Sequence, residues 1–100
     1  MPTSVNSELT QSTVVLRVPG RLDVITAKFL GRDLKANVQK GTYVKIDLSQ
    51  TTFIDSTGIN TILEGLIQAK KRQAKIALKG LTPQVRVALE LAGVLAHFRQ

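Results

Sequence analysis

The sequence predicts a single α/β domain built on a mixed sheet. Three observations carry this: 100 residues, 43% of them hydrophobic, and apolar patterns that switch between period two and period 3.6 along the chain. A chain of this length and apolar content buries a modest core without cross-links. There are no cysteines, so disulfides and thiolate metal sites are excluded, which fits a reducing compartment.

The elements follow in order. Val5, Ser7 and Leu9 alternate with Ser4, Asn6 and Glu8, a weak strand, and Thr10-Gln-Ser12 reads as a turn. Val14, Leu16 and Val18 form a better strand, completing an antiparallel hairpin that Pro19-Gly20 ends. Ala27, Leu30, Leu34 and Val38 mark one face of a helix, with Asp23 or Thr26 as its cap and Gly41 as its end. Strand 43–48 directs Val44, Ile46 and Leu48 to one face and Lys45 and Asp47 to the other. Ile59, Ile62, Leu63, Leu66 and Ile67 make the strongest helical stripe, over 58–72, with Lys70, Lys71 and Arg72 suited to its negative end. Strand 75–79 follows, then a helix opened by Thr82-Pro83 with Val85, Leu89 and Ala92 on its apolar side and Gly93 at its end. Val94–Phe98 reads as a short final strand or a packed tail. Strand 43–48, helix 58–72 and strand 75–79 form a βαβ unit with a right-handed crossover.

The formal net charge is +7. Residues 65–89 hold Lys70, Lys71, Arg72, Lys75, Lys79 and Arg86 and no acid. This charge raises nucleic acid or acidic lipid as a partner, but none of the four aromatics lies within the segment. The composition therefore favours a solvated basic face over a nucleic-acid site. No apolar run is long enough to cross a bilayer. The N-terminal MPTSVNSELT lacks a basic segment followed by an apolar one, so no export signal or membrane partner is expected.

Chemistry concentrates in Phe53-Ile-Asp-Ser-Thr-Gly-Ile-Asn60, on the corner between a strand end and the best helix. Sites of open α/β sheets gather at that edge. The first amides of a helix lack intrahelical acceptors, and Asp55, Ser56 and Thr57 are all able to cap them. Capping needs one side chain, so at least one hydroxyl should stay free. A nucleophile elbow would place glycine at position 54, which is isoleucine, and His97 is the one imidazole available as a base. No P-loop and no metal-ligand spacing occur, so an enzyme is not expected. The corner is suited instead to receive a phosphoryl group. Phosphoserine adds about −1.5 to −2 charges, which the helix start tolerates. A like charge about 4 Å away on a docked partner costs up to roughly 4 kcal/mol at an effective dielectric near 20.

These segments resemble a STAS domain of the anti-sigma factor antagonist family. Gly20-Arg-Leu-Asp23, Lys45-Ile-Asp-Leu48, Phe53–Ile59 and Gly80-Leu-Thr-Pro-Gln-Val85, followed by Leu89, Gly93, Val94 and Phe98, resemble the family's motifs in order. The resemblance implies one STAS-like domain over residues 1–100, with a four- to five-stranded mixed sheet and helices mainly on one face. It implies a cytoplasmic binding module of bacterial signalling. Its unphosphorylated form docks an anti-sigma serine kinase and releases sigma factor, and a PP2C-type phosphatase resets it. Ser56 matches the phosphoacceptor. Asp23, Asp55, Ser56, Thr57 and Gly58 match the partner-binding positions. The module itself carries no cofactor, since ATP and magnesium belong to the kinase. The alternatives are an unmodified STAS scaffold or transport-complex subunit and, behind both, a basic nucleic-acid-binding domain.

Overall fold

The computed structural model describes residues 12–98. Five strands and four helices run β1 Ser12–Arg17, β2 Gly20–Leu22, α1 Val24–Asn37, β3 Thr42–Asp47, β4 Thr51–Ile54, α2 Ser56–Lys71, β5 Lys75–Lys79, α3 Pro83–Leu91 and α4 Val94–His97. Two parallel ladders result, one in the order β1-β3-β5 and one pairing β2 with β4. All described strand pairs are parallel. The first strand of the expected antiparallel hairpin lies outside the described residues.

The βαβ unit forms as expected, with β3 and β5 hydrogen-bonded side by side. Val14, Val44 and Ile76 lie level across the large ladder, and Leu16, Ile46 and Leu78 form the next row. Val44 and Ile46 are fully buried. Leu16, Val44, Ile46, Ile76 and Leu78 of these rows belong to the sheet side of one hydrophobic core.

Helix α1 buries Ala27, Leu30 and Leu34, and Val38 at its C-cap is buried too, so the expected stripe is the packed one. Helix α2 differs from its sequence pattern. It buries Gly58, Ile62, Gly65, Leu66 and Ala69, whereas Ile67 is exposed. Its contact line contains small residues because α1 and β5 press close: a methyl added at Gly65 would sit 2.9 Å from Leu34 Cδ1 and 3.4 Å from Ile76 Cδ1. Helix α3 packs on β4 through Val85 and Leu89, both fully buried; Ala92 of its expected face is exposed. Of the two readings of the tail, the packed one holds: it is one helical turn, not a strand. Gly93 takes a left-handed conformation, φ 76°, which turns the chain from α3 into α4 and buries Val94 and Leu95.

A polar tie holds the two ladders together. Thr51 is fully buried, and its hydroxyl donates to the carbonyl of Val18. Its own carbonyl accepts the Thr82 hydroxyl at 2.6 Å. One threonine therefore links the end of β1, the start of β4 and the approach to α3.

Candidate functional site

Strands β2 and β4 were absent from the sequence expectation, and they build the site. Leu22 lies level with Ile54, and the Asp55 amide extends the pairing by donating to the Leu22 carbonyl at 3.2 Å. Each short strand runs directly into a helix, so the starts of α1 and α2 stand side by side. The residue between strand and helix is an aspartate in both cases.

Asp23 caps α1. Its Oδ1 accepts from the Ile25 and Thr26 amides, both at 3.1 Å, and from the Thr26 hydroxyl at 3.2 Å. Of the two cap candidates, Asp23 takes the role and Thr26 supports it. Asp55 caps α2, with Oδ1 accepting from the Gly58 amide at 3.1 Å. The Thr57 hydroxyl donates to the same oxygen. That bond fixes which alcohol is committed. Thr57 is consumed by the cap, whereas Ser56 is exposed at the first helical position, and none of the hydrogen bonds among the described residues uses its hydroxyl.

The carboxylates are held ionised. The Thr26 amide, with the Thr26 hydroxyl and Ile25 amide behind it, lowers the pKa of Asp23 below the ordinary carboxylate value. The Thr57 hydroxyl and then the Gly58 amide lower that of Asp55. Arg21 contributes attraction to both, and its Nε lies 3.8 Å from Asp23 Oδ2. Its guanidinium also stacks on Phe53, 4.2 Å from the ring centre. Donors that favour the charged form lower a pKa in this way.

Gly58 is buried beneath the corner. A methyl added there would meet Leu22 Cγ and the Leu22 carbonyl oxygen at 2.7 Å and Ile54 Cγ1 at 3.0 Å. Its place in the motif therefore follows from close approach of α2 to β2. Sequence reasoning missed the flanks of the corner. Val24 and Ile25, on the first turn of α1, are 61% and 66% exposed, and Phe53 is 38% exposed. Apolar side chains placed directly after a capping Asp were the available signal. His97 is exposed in α4, and no hydrogen bond among the described residues joins it to Ser56.

Among the described residues the structure is thus an α/β domain of parallel strand pairs whose working edge carries two aspartate-capped helix starts and, at Ser56, a hydroxyl in no hydrogen bond. The family model for the STAS domain matches residues 4–99, and the chain belongs to that family. It is 28% identical over 78 residues to the anti-sigma-B factor antagonists of Listeria monocytogenes and Listeria innocua, covering 77% of this chain and 68% of each relative. Among solved structures it resembles the unphosphorylated anti-sigma factor antagonist SpoIIAA, with TM-score 0.72, 23% identity and coverage of 86% of this chain and 76% of that one. It also resembles a sulfate transporter family protein from Wolinella succinogenes, with TM-score 0.77, 19% identity and coverage of 86% and 70%. No helix among the described residues is long and apolar enough to cross a membrane.

Proposed function

We propose that this protein is an anti-sigma factor antagonist: a cytoplasmic binding module, not an enzyme, switched by phosphorylation of Ser56. The observation that carries the reading is the division of labour at the corner. Asp55 and Thr57 satisfy the helix start, and the Ser56 hydroxyl stands exposed beside them. Similarity to curated antagonists supports the same reading.

In the unphosphorylated state the corner docks an anti-sigma serine kinase. Val24, Ile25 and Phe53 supply the apolar contact, and Asp23 and Asp55 present fixed negative charge. Apolar and aromatic side chains of this kind form the energetic centre of protein interfaces. The kinase brings ATP and magnesium and transfers phosphate to Ser56; a PP2C-type phosphatase removes it. Phosphate at the first position of α2 suits the helix dipole. It leaves the fold intact and acts on the partner, adding charge next to two carboxylates. A single like charge in the interface, at up to roughly 4 kcal/mol, corresponds to a loss of affinity of up to several hundredfold.

The test uses Ser56→Ala and Ser56→Asp in calorimetric titration against the anti-sigma kinase captured from the source organism. Ser56→Ala binds as tightly as the unmodified protein, and Ser56→Asp binds at least about tenfold more weakly. Thermal denaturation of Ser56→Asp matches or exceeds wild type. Equal affinities for the two variants would refute the switch. The transporter-protein resemblance favours a second reading, a STAS subunit that docks a transport or scaffold assembly without modification. Mass spectrometry of the protein from its native cells separates the two, since only the first reading places phosphate on Ser56.

A further inference from the structure

The parallel register sorts the side chains of β1, β3 and β5 into two faces. Opposite the core, three rows lie level across the strands: Thr13–Tyr43–Lys75, Val15–Lys45–Ala77 and Arg17–Asp47–Lys79. On this face Tyr43, Lys45 and Ala77 are half-buried and Asp47 is buried. Thr13, Val15, Arg17, Lys75 and Lys79 are exposed. Four of the nine positions are cationic. Asp47 is the single acid, and it is already engaged by Arg17 Nε at 3.5 Å and by the Ser49 amide at 2.9 Å. Lys45, Lys75 and Lys79 therefore remain as surplus charge. Tyr43 lies among them, with Lys45 Nζ 5.3 Å from its ring centre. The basic surface continues past the Tyr43 end of the sheet. There the Gly41 amide donates to the Gln73 carbonyl at 3.2 Å and draws the exposed Lys40 toward the end of α2.

We propose that this open sheet face binds single-stranded nucleic acid, with Lys45, Lys75 and Lys79 on phosphates and Tyr43 as a stacking platform. The absence of aromatics from residues 65–89 weighed against such a partner in the sequence. Strand pairing removes that objection, because it places Tyr43 of β3 directly beside Lys75 of β5. Other polyanionic surfaces fit less well. Membrane-surface binding relies on inserted apolar side chains, and Val15 is the one large exposed aliphatic on this face. Protein interface centres are depleted in lysine. Duplex DNA is read by an element that enters a groove, whereas this face is a sheet surface. A repeating phosphate chain with stackable bases matches spaced lysines around a ring.

The experiment is fluorescence anisotropy of labelled single-stranded DNA and RNA, about 20 nucleotides long, titrated with the full chain at several salt concentrations. Three phosphate contacts give a slope of log affinity against log salt of roughly −2. Lys45→Gln/Lys75→Gln lowers affinity by at least about tenfold and flattens that slope to roughly −0.7. Tyr43→Ala weakens binding by at least about fivefold with the slope unchanged. Lys28→Gln/Arg32→Gln removes equal charge from the exposed side of α1 and leaves affinity within about twofold. Far-ultraviolet circular dichroism verifies that each variant is folded. Any of three results overturns the proposal: no binding at the lowest salt, equal losses in the two double variants, or tighter binding to polyglutamate or phosphatidylserine vesicles than to the oligonucleotides.

Discussion

Two glycines in neighbouring helices should respond to the same substitution with opposite signs. At Gly58, the third residue of α2, an added methyl lies 2.7 Å from both Leu22 Cγ and the Leu22 carbonyl oxygen, and 3.0 Å from Ile54 Cγ1. Ordinary contact begins at 3.4 Å, so α2 and β2 must separate by roughly 0.7 Å. The leucine side chain can rotate, but the carbonyl cannot, because it accepts the Asp55 amide at 3.2 Å. Overpacking of this kind costs about 2–3 kcal/mol. Replacing glycine with alanine in a helix returns up to about 1 kcal/mol. Gly58→Ala is therefore destabilising by about 1–2 kcal/mol, a fall in Tm of roughly 5–15 °C for a domain of this size. At Gly31, mid-way along α1, the added methyl would meet only Thr61 Cγ2, at 3.7 Å. Gly31→Ala keeps the propensity gain without the clash and raises stability by about 0.5–1 kcal/mol. Thermal and urea denaturation of both variants beside wild type decide the matter. A Gly58→Ala protein as stable as wild type would refute the claim that close approach of α2 to β2 requires this glycine.

The remaining predictions address the buried tie and the charged caps. Thr51→Val keeps the shape and adds apolar surface, yet it removes the donor to the Val18 carbonyl. Urea denaturation should show a loss of about 1–3 kcal/mol, and a raised midpoint would contradict this. Asp55 has a folded pKa below its unfolded value of about 3.9. Its ionised form therefore stabilises the fold above that value, and the contribution is lost as pH falls through the folded pKa. Asparagine caps helices as well as aspartate does, so Asp55→Asn isolates the charge. Its Tm should fall less than that of wild type between about pH 5 and 3; parallel curves would show that the cap charge is not linked to folding.

The legible parts of this protein are those specified locally. Ala27, Leu30, Leu34 and Val38 repeat at helical spacing and are the residues α1 buries. Asp23 or Thr26, and Asp55, Ser56 or Thr57, announced capped helix starts, and both caps form, with the aspartate taking the role each time. The corner could be located because an acid and two hydroxyls stand directly before the strongest helical stripe in the chain.

What stayed hidden depends on partners distant in sequence. Gly20–Leu22 and Thr51–Ile54 are too short to show a period, and each becomes a strand only by pairing with the other. The packed line of α2 runs through Gly58, Gly65 and Ala69, which hydropathy overlooks because close approach, not apolar bulk, selects them. Which hydroxyl of Ser56 and Thr57 is left free was decided by the direction of one hydrogen bond to Asp55. Tyr43 and Lys75 are 32 residues apart yet neighbours in register. Periodicity and capping are properties of a few consecutive residues, so the sequence alone determined the three longer helices and the chemistry of the corner. Strand pairing, close contact and the choice of exposed face are set when remote segments meet, so only the tertiary structure decided how that chemistry is presented.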